Sequence, residues 1–215
     1  MIKRLLLIFL FVVCTFSAFS QDASSFVQLP EQIAIDSKDN IYVLSLGNIS
    51  VFTPDGKRKI LAERGFSRIA IDSKDNVYLS SGSTIQKMLV DKKGEYQFEH
   101  YAGDINYSGA GDSDLKIAKF NDIQSVFFDK NDDLYVADKA SKFIKQVGEK
   151  TDSWVIEPSV PKKYRNVDYW YCVRKISNGK VSTLQNSESR YVLFLNVTGM
   201  TIDNKGNILF IAEAV

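Results

Sequence analysis

Four aspartates recur at one position of a repeated phrase: Asp36, Asp72, Asp129 and Asp203. Carboxylates repeated in one frame suggest a calcium site, which needs about six to eight oxygens to converge. A local role competes with that chemistry. In the first copy Asp36 is followed by Ser37, Lys38, Asp39 and Asn40, a cluster of turn formers. Asp and Asn side chains bond their own backbone and tolerate positive φ. The turn role accounts for all four aspartates, with Asn40, Asn76, Asp133 and Asn207 as their partners in the turns. The four remain metal candidates only through their repetition.

Other reactive residue types are sparse. His100 is the one histidine. A catalytic zinc takes about three protein ligands, and a Ser-His-Asp triad needs its base beside a nucleophile. Neither pattern surrounds His100, which reads as a half-exposed strand residue. The loop Gly103 to Gly111 lacks the Gly-Lys-Ser/Thr ending of a phosphate-binding loop. Asp112-Ser113-Asp114 opens like a calcium loop, but Ile117 and Ile123 stand where that loop needs Gly and Glu. We expect a loop joining two successive repeats that uses glycine for positive φ. Cys172, in Tyr-Trp-Tyr-Cys-Val, reads as a small buried hydrophobe. The segment 148–170 differs from the rest. Trp154, Tyr164, Tyr169 and Trp170 sit among Lys162, Lys163 and Arg165. Aromatic and basic residues on a loop form binding surfaces, here for a sugar or a peptide. Trp154, Tyr164, Arg165, Tyr169 and Trp170 are the candidate binding residues.

The elements that position these residues come from the phrase itself. Residues 33–40 and 69–76 are the same eight letters, Ile-Ala-Ile-Asp-Ser-Lys-Asp-Asn. Looser copies run over 126–133 and 200–207, and a β-rich run follows each copy. Alternating Ile33, Ile35, Ile41 and Val43 give the period of a strand with one buried face. Strand, turn, strand is the reading for every copy, with Gly206 supplying positive φ in the fourth. A hairpin cannot bury its apolar face alone, but stacked copies can. The expected core is Ile33, Ile35, Ile41, Val43, Ile69, Ile71, Val77, Leu79, Val126, Phe128, Leu134, Val136, Ile202, Ile208 and Phe210.

The pattern Ile-Ala-Ile-Asp-x-x-x-Asn-Ile-Tyr-Val resembles the NHL repeat, one blade of a β-propeller. The third copy extends the resemblance through Tyr101-Ala102-Gly103, Ser108-Gly109-Ala110-Gly111-Asp112, Ala118-x-Phe120-Asn121, Phe128-Asp129 and Leu134-Tyr135-Val136-Ala137-Asp138. Gln32, Arg68 and Ser125 stand where the family usually has glycine, and Ile123 where it has proline. The resemblance implies an all-β fold: a propeller of NHL-type blades with about four recognisable repeats. Spacings of 36, 57 and 74 residues separate the four aspartates, against about 40–45 residues per blade. The longer intervals hold the glycine-rich loop and an insertion at 148–170. Residues 173–176 and 179–184 read as an outer hairpin, and 143–147 compete for that place. Four signatures leave the ring incomplete. The expectation is a fragment of a longer protein, with closure by another chain through open propeller edges as the alternative.

Residues 1–20 read as a secretory signal peptide: Lys3-Arg4, an apolar run from Leu5 to Val13, and Ala18-Phe19-Ser20 before cleavage at Gln21. The run is short for a membrane span of about 20 residues, and no later stretch offers one. The domain is then 21–215, secreted, periplasmic or in the cell envelope. Of 27 basic residues, Lys3 and Arg4 leave with the signal, giving a net charge of −1 against 26 acids. That argues against nucleic acid as a partner. Cys172, as the one cysteine remaining, forms no internal disulfide. These features imply an exported, non-catalytic binding module for a protein, peptide or carbohydrate, with no required cofactor. The competing expectation is part of a calcium-dependent enzyme, sugar-lactonase-like or lyase-like, whose catalytic residues lie outside this chain.

Overall fold

Every copy of the phrase folds as an antiparallel hairpin. The computed structural model describes residues 27, 29–63, 65–109, 111–141, 169–184, 193–194, 197–203 and 205–212. In the first copy β1 (Pro30–Ile35) pairs with β2 (Ile41–Ser45), placing Ile33 opposite Val43 and Ile35 opposite Ile41. Two further strands, β3 (Asn48–Phe52) and β4 (Arg58–Glu63), extend the sheet outward in the order β1-β2-β3-β4. The second copy repeats this meander with β5 (Arg68–Ile71), β6 (Val77–Ser81), β7 (Thr84–Val90) and β8 (Tyr96–Ala102).

The third sheet is larger. A short strand, β9 (Ser113–Asp114), precedes the hairpin of β10 (Ile123–Phe128) and β11 (Leu134–Ser141). The outer hairpin is β12 (Tyr169–Ser177) with β13 (Lys180–Thr183), as the residues from Val173 onward suggest. β9 returns to pair with β13, so the glycine-rich loop lies across the outer edge of this sheet. A two-residue strand, β14 (Leu193–Phe194), pairs with β12. The fourth copy is a hairpin of β15 (Val197–Ile202) and β16 (Ile208–Ala212).

The sheets are arranged radially. β1 neighbours β5, β5 neighbours β10, and β10 neighbours β15, so the first strand of each hairpin packs beside the first strand of the next. Four-stranded antiparallel meanders joined at their inner strands are the blades of a β-propeller. The chain is therefore all-β, with three blades and the inner hairpin of a fourth among the described residues, which contain no helix. No helix there is long and apolar enough to cross a membrane.

Burial corrects the expected core. Between successive blades both faces of the hairpin are covered, not one. Ile69, Val77 and Leu79 of the second blade pack on Leu44, Ile49 and Val51 of the first. Val126, Leu134 and Val136 of the third pack on Ala70, Tyr78 and Ile85 of the second. Met200, Ile208 and Phe210 of the fourth pack on Tyr135, Ala137 and Val173 of the third. The Ile/Val positions of the phrase thus face the preceding blade, and the Ala and Tyr positions face the following one. Ile33 and Ile35 were expected in the core but are 60% and 40% exposed, because no described blade precedes the first. Ile41, Ile71, Phe128, Ile202, Ile208 and Phe210 are half-buried rather than buried. Conversely, Ala70 and Tyr78, which read as the solvent side of a one-faced strand, belong to the core. Phe120, in the segment between β9 and β10, is fully buried between the second and third blades.

Candidate functional site

The turn aspartates are saturated by their own turns. Asp36 Oδ1 accepts the backbone N–H of Lys38 and of Asn40, both at 2.9 Å. Its Oδ2 accepts Asn40 Nδ2 at 2.8 Å and the Tyr42 hydroxyl at 3.4 Å. Asp72 repeats this with Lys74, Asn76 and Tyr78. Asp129 takes Asn131 N, Asp133 N and the Tyr135 hydroxyl, and Asp203 takes Lys205 N, Asn207 N and Asn207 Nδ2. The third position of each turn has positive φ: Asp39 62°, Asp75 63°, Asp132 61° and Gly206 88°. Burial, with the Asp36 carboxylate beside it, pushes the Tyr42 hydroxyl up to about 12. In the third blade Asp133 replaces the amide donor, and its carboxylate pairs with Lys175 at 2.7 Å instead. Asp91 makes the same turn in an outer hairpin, accepting Lys93 N and Glu95 N. It escaped notice because its phrase, Asp-Lys-Lys-Gly-Glu, follows no Ile-x-Ile run.

Consecutive turns are also clipped together. Asp75 Oδ1 accepts Ser37 N at 2.8 Å, and its Oδ2 accepts Ser37 Oγ at 2.6 Å. Asp132 receives Ser73 N and Ser73 Oγ in the same way, at 2.9 and 2.7 Å. The serine donors hold both carboxyls below the usual range. The phrase thus binds its own hairpin through one aspartate and the preceding blade through another.

The densest cluster of charge lies in the third blade. Arg174, on β12, is 0% exposed. Its Nε and Nη2 donate to Asp112 Oδ1 at 3.1 and 2.6 Å. Its Nη1 donates to the Lys119 carbonyl at 3.0 Å and lies 3.4 Å from Asp138 Oδ2. The guanidinium stands 5.2 Å from the Phe120 ring centroid. Asp112 also accepts Thr183 N and Thr183 Oγ, each at 2.9 Å. Asp138 Oδ1 accepts Asn121 N and Asp122 N, at 2.9 and 3.0 Å. One cation therefore serves two carboxylates, and the better geometry goes to Asp112. Burial pushes Asp138 up to about 6, against the opposing pull of Arg174 and the two N–H donors. Because Asp138 and Arg174 have no exposed surface, this cluster holds the glycine-rich loop to the blade and presents no open reactive face. Cys172 stands opposite Asp138 in the ladder, and burial raises its thiol to about 12.

Other sequence candidates fall as follows. Tyr169 and Trp170, expected in the insertion, lie in β12 opposite Ser141 and Ala140. Trp154, Tyr164 and Arg165 lie outside the described residues, as does 143–147. His100, on β8, is half-buried, with Nε2 at 2.6 Å from the Gly103 carbonyl oxygen. Gly103 has φ +96°, and a Cβ there would meet the Ser83 carbonyl oxygen at 2.5 Å, so glycine is required at this loop entry. Among the described residues, no three His, Cys, Asp or Glu side chains are grouped to hold a metal. Sequence reasoning missed the Arg174 cluster. Its signal was an arginine alternating with Cys172 and Ile176 on a strand bordered by apolar residues, a position that demands carboxylates.

No protein-family model matches the chain, and no curated protein matches it. Solved structures do. A protein of unknown function from Bacteroides thetaiotaomicron has a TM-score of 0.56 at 16% identity, over 85% of this chain and 44% of that one. A provisionally named phosphatase from the same organism has a TM-score of 0.53 at 15% identity, over 81% and 43%. An auxiliary nutrient binding protein, also from that organism, has a TM-score of 0.50 at 13% identity, over 79% and 41%. The chain spans less than half the length of these structures. At such identities they speak to fold alone, and the fold they share with this chain is the radial array of antiparallel blades described above.

Proposed function

We propose that the protein is an exported NHL-type β-propeller that works as a non-catalytic binding module, with residues 148–168 and the adjoining start of β12, Tyr169 and Trp170, as its binding segment. One observation carries this reading. The carboxylates that repeat round the blades are consumed by turn and clip donors. Recognition is then left to loops presented by a rigid frame. The likeness to an auxiliary nutrient binding protein supports a ligand-binding role. The ligand class that suits the residue types of this segment, Trp154, Tyr164, Tyr169, Trp170 and Arg165, is a carbohydrate or a peptide, through stacking on aromatic faces. Export follows from the leader at residues 1–20, with the mature chain beginning at Gln21 in the periplasm, the envelope or the medium.

The test uses a property of the sequence. The chain has 2 tryptophans, Trp154 and Trp170, both in this segment. Intrinsic fluorescence therefore reports on the proposed site without labelling. Titration with a panel of plant, fungal and bacterial oligosaccharides, and with a random peptide library, is expected to shift that emission for one class. A Trp154→Ala/Trp170→Ala variant with unchanged Tm should lose capture of the same probe. Capture that survives in this variant removes the segment as the site.

A further inference from the structure

The residue just before each copy of the phrase is Gln32, Arg68, Ser125 and Gly199 in turn. It lies on the inner strand of its blade, so the side chain changes while the frame round it repeats. The ladder fixes which strand edge is involved. Asp72 N donates to Asn76 O, so Ile71 and Ile69 are the residues of β5 whose N–H and C=O turn away from β6. β5 has no strand hydrogen-bonded on that side. The Gln32 carboxamide bonds there instead. Ile69 N donates to Gln32 Oε1 at 2.9 Å, and Gln32 Nε2 donates to Ile69 O at 3.1 Å. Gln32 therefore lies along the free inner edge of the blades, the edge that borders the central channel of a propeller.

Arg68 takes the corresponding place one blade on. It reaches from β5 to β10, where Nε donates to the Gln124 carbonyl and Nη2 donates to Gln124 Oε1 at 3.3 Å. Its Nη1 donates to the Ser67 carbonyl at 2.6 Å. All three acceptors are neutral. Among the described residues Arg68 forms no ion pair, whereas Arg174 is met by two carboxylates. A guanidinium carries five N–H donors, so one on each terminal nitrogen of Arg68 has no protein acceptor. Half-buried and short of a counter-charge, this cation gains more from an anion than a fully solvated one does. The terminal pair of N–H groups suits the two oxygens of a carboxylate. Gln124 and Ser67 already hold the side chain in place, so little conformational freedom is lost on binding.

We propose that Arg68 is a binding residue for an organic carboxylate, taken at the inner edge between the second and third blades. The carboxylate can belong to an acidic sugar or to a peptide, since the same fork fits both. Every group named lies in the first three blades, so the site does not depend on how the ring is completed. The proposal goes beyond the binding-module reading, because Arg68 takes a carboxylate whether or not residues 148–168 touch the ligand.

Nitrogen-15 NMR of the purified secreted protein tests the proposal through the Arg68 Nε–Hε signal, assigned sequentially. The probes are sodium trigalacturonate and acetyl-alanyl-alanine, with galactotriose and the amide of the same dipeptide as uncharged controls. At least one carboxylate is expected to move the signal saturably, with a Kd of about 1 mM. Its uncharged control should bind about 10–100-fold more weakly, the worth of hydrogen bonds to a charged partner. Response to trigalacturonate alone identifies an acidic sugar, and response to the dipeptide alone identifies a peptide. Arg68→Gln, checked as folded by near-ultraviolet circular dichroism and Tm, should weaken the same carboxylate by a similar factor. Arg68→Lys should recover part of the loss, because it restores the charge without the fork. A wild-type Arg68 signal that neither carboxylate moves up to about 50 mM overturns the proposal, and this arm needs no variant. Equal shifts from sodium chloride at matched ionic strength overturn it too, as does a carboxylate affinity unchanged in Arg68→Gln.

Discussion

Asp138 should make stability fall as pH rises through the mildly acidic range, the reverse of the usual carboxylate effect. Its ordinary value of 3.8 is displaced to about 6 in the folded protein, chiefly by burial. Between these values the folded protein holds a proton that the unfolded chain has released. Stability is then fully present below about pH 4 and lost as pH rises towards about 6, since its slope follows the protons bound by the unfolded state minus those bound by the folded one. The displacement is worth on the order of 3 kcal/mol. For a domain of this size, that is roughly 6–12 °C in Tm. The other shifted aspartates act elsewhere. Asp75, Asp132 and Asp203 are held low by serine or asparagine donors, Asp55 by Lys57 and Thr53, and Asp133, against its burial, by Lys175, so their contributions are present above the ordinary carboxylate value and lost only below it. The two windows do not overlap, and the steep region above about pH 4 belongs to Asp138.

Thermal denaturation followed by circular dichroism at closely spaced pH values measures this directly. Wild type should lose Tm between about pH 4.5 and 6.5 and level off above, whereas Asp138→Asn should be flat over that interval. Arg174→Met supplies the converse. It removes the cation shared by Asp112 and Asp138 and should destabilise the protein by about 3–5 kcal/mol near neutrality. It should also carry the sloping region to higher pH. A wild-type profile that is flat through this interval, or an Asp138→Asn profile that keeps the slope, refutes the reasoning that one buried cation cannot keep two carboxylates ionised.

Other positions give simpler outcomes. Gly103→Ala should cost at least about 2 kcal/mol in urea denaturation, because it strains a left-handed backbone and drives a Cβ into the Ser83 carbonyl. Cys172 should react with a thiol reagent roughly 1,000-fold more slowly in the native protein than in denaturant, since its thiolate is suppressed by burial. Tyr78→Phe should cost about 1 kcal/mol, the worth of its hydroxyl bond to Asp72, with blade packing retained. Calcium and chelator should leave Tm unchanged, because Asp36, Asp72, Asp129 and Asp203 already have their oxygens filled; a rise in Tm with calcium contradicts that.

What the sequence disclosed depended on the range of the interaction. The turns were legible because Asp36 meets Lys38 and Asn40, two and four residues on, and the same offsets recur in each copy. The outer hairpin of the third blade was expected from the resemblance at 173–176 and 179–184, and in the structure a two-residue turn, Asn178-Gly179, joins its strands. Blade-to-blade burial was not legible. Ala34, Ala70 and the tyrosines of the phrase look like a solvent side, yet a small residue beside a tyrosine is what lets the next blade approach closely. The tyrosine keeps its hydroxyl satisfied by its own turn, as Tyr78 does with Asp72. The clip from Ser37 to Asp75 spans 38 residues, and the pair of Asp112 with Arg174 spans 62. No local pattern announces contacts at such separations.

The two identical copies separate what a sequence dictates from what its neighbours dictate. Ile-Ala-Ile-Asp-Ser-Lys-Asp-Asn makes the same hairpin, the same turn and the same aspartate bonds at both places. Local structure is thus set within the phrase. Burial is not, since the same isoleucine is core in the second blade and surface in the first. The serine clip also depends on what comes next. Ser37 and Ser73 find Asp75 and Asp132, whereas at the third junction Lys130 and Gly206 stand in the two positions and the blades meet through apolar contacts. A repeat of this kind encodes a unit and a half: its own hairpin, and half of the contact with each neighbour.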